Sequence, residues 1–341
     1  MTAPPAPLLL VLDGNSLLHR AYHAASDSPV DGAMRDDAGR PIWALWGLVR
    51  YVARAAAYLR PDAVIVGFDC PDHSARKAEF PEYKAQRADK PADLVEQIAG
   101  APDLLQAAGV CTFTPPSFEA DDVLASCARA ARDGGWRSVL MTSDRDAFAL
   151  IDETTSVLRV RNGGFDRAVL VDRAALAGIC GVEPSQYRDF AALRGDPSDN
   201  LRGVRLVGSV TAAKLLNAFG SVDAVWAALD NGDAPAVREA VGDRAYAQLT
   251  TPAIREVVAR NQHIMWMRTD LPVPEPGSAQ LPLDLAVMRR ALSARGINFG
   301  PSLWALTGGS PPGEPVERPV AVRPRVRRQR YAPIPGQLTL F

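Results

Sequence analysis

Cysteine is scarce: Cys70, Cys111, Cys127 and Cys180 are the only four in 341 residues, and no two make a Cys-x-x-Cys pair. All four fall in apolar contexts, so neither a disulfide framework nor a zinc site is suggested. Histidine is equally sparse at four; His19 and His23 stand one helical turn apart, but no glutamate motif accompanies them, so they read as a polar helix face. No apolar run reaches the ~18 residues that a membrane helix needs, and Met1 to Val11 lacks the basic start of a secretory signal. The expectation is a cytoplasmic chain with no membrane contact. A dominant charge is missing too, since 38 Lys and Arg face 39 Asp and Glu. The near-zero sum hides segregation: acids gather at Asp13, Asp69, 119–122, 144–146 and 196–199, and bases at 76–90 and 318–330.

What the sequence does have is enough hydrophobic residues, 47%, for a sizeable core in two domains or one large one. Three apolar runs lead into an acid: 8–12 before Asp13, 63–68 before Asp69, and 138–142 before Ser143 and Asp144. They read as buried strands, with a further one near 110–113. Helical patterns alternate with them at 42–59 and 120–132 and follow at 173–179, with Gly109 and the Gly134-Gly135 pair as stops. This alternation implies an α/β fold with a mainly parallel sheet, whose chemistry collects beyond the carboxyl ends of the strands. From about 185 to 306 the pattern becomes short helices broken by Gly and Pro. Residues 307–341 are rich in Pro, Gly and Arg and read as a disordered tail.

Taken singly, each acid has a plain structural explanation: Asp13 as a helix cap, 119–122 as complements of a helix N-terminus, Asp144 in a turn. Several acids converging on one sheet edge would repel one another without cations. Hard cations such as Mg²⁺ take oxygen ligands and keep several waters, and a pair ~4 Å apart suits phosphodiester hydrolysis. In Glu119-Ala120-Asp121-Asp122 the first and last share a helix face while Asp121 points away, so spacing leaves their separate roles open.

The stretches Leu-Asp-Gly-Asn-Ser-Leu-Leu-His-Arg-Ala-Tyr (12–22), Glu-Ala-Asp-Asp-Val-Leu-Ala (119–125), Thr-Ser-Asp-Arg-Asp (142–146) and Arg-Gly-Asp-Pro-Ser-Asp-Asn (194–200) resemble, in this order, the motifs of bacterial flap endonucleases and 5′→3′ exonucleases. The same unit begins many bacterial DNA polymerases I. The likeness runs from about 8 to 306 and implies a PIN-like nuclease core over 1–185, a helical DNA-binding region over 186–306, and a stand-alone, monomeric, nucleoid-associated enzyme of replication and repair. It implies a first metal site at Asp13, Asp69, Glu119 and Asp121 with Asp122 close by, and a second at Asp144, Asp146, Asp196 and Asp199, holding Mg²⁺ or Mn²⁺. Every acid of both groups is present.

Between Asp69 and the strand near 110 lie about forty residues, against ~5 for an ordinary connection. The first half joins Arg76, Lys77, Lys84 and Arg87 with Phe80 and Tyr83, suited to unpaired nucleic acid, although alone it could be a solvated helix. The resemblance makes 72–100 a helical arch, with Arg76, Tyr83, Lys84 and Arg87 guiding a 5′ strand and Arg20 near the scissile phosphate. Gly203 to Gly208, followed by a helix carrying Lys214, resembles the family's helix-three-turn-helix, which holds duplex and can bind K⁺; Arg202 stands where the family usually has proline. The last residues, with Gln337, Leu338, Leu340 and Phe341, are similar to peptides that dock on the sliding clamp. The implied substrate is DNA with a 5′ flap, overhang or nick, including RNA primers. The rival readings are a PIN-like ribonuclease and a non-catalytic, DNA-binding clamp adaptor.

Overall fold

A computed structural model describes residues 5–26 and 34–311. The basic run at 318–330 and the four residues of the clamp peptide lie outside the described residues. A six-stranded sheet has the order β3-β2-β1-β4-β5-β6, with β1 Leu8–Asp13, β2 Ala63–Gly67, β3 Cys111–Phe113, β4 Arg137–Thr142, β5 Thr155–Arg161 and β6 Gly164–Val171. The first five strands are parallel, and β6 turns back antiparallel on β5.

β1 lies at the centre and is buried along its whole length, so both its faces must be apolar. Leu9 and Val11 pack with Val123, Leu124 and Cys127 of helix Ala120–Asp133, and Leu8, Leu10 and Leu12 pack with Leu17, Leu45 and Leu48 from helices Gly14–Ser26 and Trp43–Leu59. The first cluster runs on without interruption into Tyr187, Phe190, Leu215 and Val258, joining the helices Pro184–Arg194, Ser209–Phe219 and Ile254–Ile264 to the sheet. The second takes in Met288, Leu292, Leu303 and Leu306. The pattern of short helices up to 306 therefore serves both faces: its last part returns to the opposite side of the sheet.

Two features depart from the sequence reading. The long insertion is not an arch throughout, because helix Ala92–Ala107 buries Leu94, Gln97, Ala101, Leu104 and Leu105. Gln97 fixes it there by accepting from the N–H of Ala44 at 2.7 Å. Of the segment before this helix, Lys84, Arg87 and Lys90 line an acid-bearing cleft. The β5–β6 hairpin has no counterpart in the strand assignment, since β6 is half-buried or exposed along nearly all its length and its polar residues hide the alternation.

Candidate active site

Parallel register brings the acids to one edge. Asp13 ends β1 opposite Gly67 of β2, while Leu12 pairs with Met141 of β4, so Asp13, Asp69 and Asp144 emerge from three adjacent strands. Helix Ala120–Asp133 adds Asp121, and the four carboxylates line one cleft of about 640 Å³. The opposing walls carry Arg20, Lys84, Arg87 and Lys90, with His19 and His23 beside them.

Local hydrogen bonds hold these acids in place. Asp13 accepts from the Ser16 N–H at 2.9 Å and from the Thr142 hydroxyl at 2.8 Å. Asp69 accepts from the Ala120 N–H at 2.8 Å, and its own N–H donates to Asn15 Oδ1 at 3.1 Å. Asp144 accepts from the Asp146 N–H at 3.0 Å, and Asp196 from the Ser198 N–H at 2.7 Å. The capping explanation is thus correct for several of these groups but incomplete: Asp121 Oδ1 and Asp146 Oδ1 are buried with no partner among the described residues.

Burial and mutual repulsion tie the acids into one cluster. Burial, then Asp69 and Asp144, raise Asp13 to about 7 against the pull of its two hydrogen bonds. Burial followed by Asp144 and Asp13 raises Asp121 well above the carboxylate range, and burial followed by Asp144, Asp196 and Asp199 does the same to Asp146. Burial outweighs Lys84 and Arg87 to raise Asp199, and burial also raises Asp69. An unpaired buried carboxylate oxygen costs ~1–3 kcal/mol or more, so two of them amid like charges fit a site completed by cations. Among the described residues, no three His, Cys, Asp or Glu side chains form a ready-closed ligand set for one ion. The donors are all oxygens spread around an open cleft, which suits a hard ion that retains much of its water.

Glu119 and Asp122, both expected at a metal site, have different neighbours from the other acids. They form the capping box of helix Ala120–Asp133, each bonding the other's end of the first turn. Asp122 is wholly buried, and Arg76 donates to both its oxygens at 2.7 Å; the N–H of Arg268 adds a bond at 2.9 Å. Both Asp122 oxygens are engaged in this arrangement. Glu119 Oε2 accepts from Arg76, Lys84 and the Tyr83 hydroxyl at 3.1–3.2 Å. Although burial opposes it, Lys84 and Arg76 hold Glu119 below the usual carboxylate range.

The basic segment therefore splits. Arg76 and Tyr83 point inward; Tyr83 is 4% exposed, so its ring cannot stack on a base in this arrangement. Lys84 remains in the cleft, its N–H donating to the Asp199 carbonyl at 3.1 Å, and Arg87 reaches Asp199 Oδ1 at 2.5 Å. Arg20 lines the cleft and donates to Asn162 Oδ1 at 2.9 Å.

The hairpin joins helices Pro184–Arg194 and Ser209–Phe219. Gly195 has φ +76°, and a Cβ there would lie 2.2 Å from the Gly203 nitrogen; one on Gly203 would lie 2.2 Å from the Arg194 carbonyl. Gly203 thus serves close backbone packing beside Asp196. Gly208, with open space around it, precedes the exposed N-terminus of the second helix, where Val210 is 71% exposed and Lys214 is also exposed. Sequence reasoning missed Asn15, Thr142 and Lys90; the first two sit inside the quoted motifs, where their neighbours drew the attention.

An acid-lined cleft at the carboxyl edge of a parallel sheet, overhung by a basic segment and backed by a helical hairpin, defines a nuclease of the PIN-like, 5′ nuclease class. Residues 8–176 match the family model for the 5′-3′ exonuclease N-terminal resolvase-like domain, and residues 182–280 match that for the 5′-3′ exonuclease C-terminal SAM fold. The chain belongs to the 5′-3′ exonuclease family. It is 35% identical over 269 residues to DNA polymerase I of Mycobacterium bovis, a match covering 79% of this chain and 28% of that protein. The chain thus spans little more than a quarter of that relative. Among solved structures it resembles the T5 D15 protein co-crystallised with metal ions, with TM-score 0.58, 20% identity and coverage of 76% and 89% of the two chains. It also resembles the catalytic core of Rad2 in complex with a DNA substrate, with TM-score 0.53, 15% identity and coverage of 85% and 88%. These two likenesses concern the fold. Among the described residues no helix is long and apolar enough to cross a membrane.

Proposed function

We propose that the chain hydrolyses phosphodiester bonds in DNA bearing an unpaired 5′ end, such as a flap, overhang or nick, in primer removal and repair. The observation that carries this reading is the cluster of buried carboxylates left unneutralised at the cleft, with Asp121 and Asp146 each holding an unpartnered oxygen. Asp13, Asp69, Asp121 and Asp144 would hold one divalent ion, Mg²⁺ or Mn²⁺, and Asp146, Asp196 and Asp199 with Asp144 a second. Bound there, such ions supply an activated water and offset charge on the phosphate. Lys84, held at the cleft by Glu119, offers a cation to the scissile phosphate, and Arg20 and Arg87 add charge on either side. Glu119, Asp122, Arg76 and Tyr83 act as a brace that fixes Lys84 and Asp121. The free N–H groups at the start of helix Ser209–Phe219, with Lys214, grip the duplex backbone without reading sequence, and K⁺ at the loop carbonyls would strengthen that grip. Gln337, Leu338, Leu340 and Phe341 are proposed, on sequence alone, to dock on a sliding clamp.

The test is cleavage of a labelled 5′-flap substrate with Mg²⁺ or Mn²⁺ and with chelator. Metal-dependent cutting near the junction is expected; binding without cutting would favour the adaptor, and preference for unstructured RNA the ribonuclease.

A further inference from the structure

Beside the acid-lined cleft is a second cavity of about 450 Å³ between helices Gly14–Ser26 and Trp43–Leu59 and the β5–β6 turn. The two share Ala24, Gly163 and Gly164. Gly163 and Gly164 adopt φ +95° and +73°, a turn that suits glycine, and so the sill between the cavities carries no side chain larger than the Ala24 methyl.

The walls of this cavity are aromatic and cationic. The Arg50 guanidinium lies 5.2 Å from the centre of the Trp46 ring, and that of Arg54 lies 4.7 Å from Phe165. The one acid of the lining, Asp166, is paired with Arg54. Trp43 is 4% exposed, and its indole N–H is buried with no acceptor among the described residues. Ring faces beside guanidinium planes, an exposed arginine and an unsatisfied donor together match a nucleobase with its phosphate: the base stacks, its carbonyl can accept, and the phosphate pairs with arginine.

We infer that this cavity takes an unpaired nucleotide of the 5′ strand after the strand has crossed the acids. Lys84 and Arg87 also line the cleft, and they contact Asp199 next to the hairpin assigned above to the duplex. A strand leaving that duplex and passing the carboxylates exits over Gly163 and Gly164. The inference rests on the reading that the cleft cuts DNA with an unpaired 5′ end.

The experiment uses the full chain in chelator with flap substrates carrying 5-iodo-2′-deoxyuridine in the 5′ arm, in a 3′ arm or in the duplex, irradiated and mapped by mass spectrometry. Crosslinks from the 5′ arm to Trp43, Trp46 or Phe165 are expected. In metal-supported cutting, Arg50→Glu combined with Phe165→Ala is expected to raise KM for a long 5′ arm about fivefold more than for a single-nucleotide arm. Crosslinks from the 5′ arm that avoid the cavity, cavity crosslinks only from the 3′ arm or duplex, or an equal rise in KM for both arms would overturn it. The crosslink needs no variant to fold and no cutting to occur, so failure of the nuclease reading appears separately, as absent cleavage by the wild type.

Discussion

Arg76 donates to both oxygens of Asp122 at 2.7 Å while its Nε and Nη2 also reach the carbonyls of Ile264 and Trp266 at 2.9 Å. One side chain thereby ties the basic segment and the strap after helix Ile254–Ile264 to the helix that carries Asp121. Removing one partner of a buried pair typically costs ~3–5 kcal/mol because the other is left charged and unpaired. Arg76→Ala is expected to lower stability by about 3 kcal/mol in urea unfolding and to lower kcat with it. Asp122→Asn should weaken the fold while leaving the stoichiometry of divalent-ion binding intact, as calorimetry would detect.

Asp146 sits in the opposite situation, buried with one oxygen unpartnered and repelled by Asp144, Asp196 and Asp199. Asp146→Asn is expected to abolish flap cleavage, by about 10³-fold or more. In the metal-free chain the same change should raise Tm. A drop in Tm without metal would show that Asp146 is structurally satisfied.

Acidity in the cluster fixes the sign of a pH effect. Asp13 in the folded chain holds its proton to about 7, against 3.8 for the free group. Between those values the folded state binds more protons than the unfolded state, so the stability of the metal-free chain falls as pH rises and the loss is complete above about 7. Asp121 and Asp146 are displaced the same way. Thermal melts should therefore show chelated protein losing Tm from acid to neutral pH, with Mg²⁺ restoring it most at the alkaline end.

Lys84 approaches Glu119 at 3.1 Å and projects into the cleft from a residue with φ +57°. Lys84→Ala is expected to lower kcat by about 10²-fold, the usual scale for losing one preorganised charge on a reacting phosphate, with little change in duplex affinity. Fluorescence anisotropy on blunt duplex would separate the two effects.

Asp13, Asp69 and Asp144 were legible at one edge because each follows an apolar strand, and parallel pairing brings the ends of those strands together. Spacing set Asp121 apart from Glu119 and Asp122 but left their roles open, since the contacts of the latter two depend on Arg76, more than forty residues away in sequence. The forty-residue insertion looked like an arch because its bases and aromatics lie in its first half. Its second half shows helical packing only through Leu94, Gln97, Ala101, Leu104 and Leu105, and a glutamine inside that stripe weakens the apolar signal. Gly203 carried a binding-loop pattern, while its steric reason, the Arg194 carbonyl, appears only in three dimensions.

Divalent-ion binding by the carboxylate cluster is most directly tested by titrating Mn²⁺ into chelated protein at pH 8 and counting bound ions by electron paramagnetic resonance. The wild type should bind two ions, Asp122→Asn should bind the same number, and the double variant Asp121→Asn with Asp146→Asn should bind none tightly. Unchanged binding in that double variant, or no binding by the wild type, would contradict the assignment of the cleft as a metal centre.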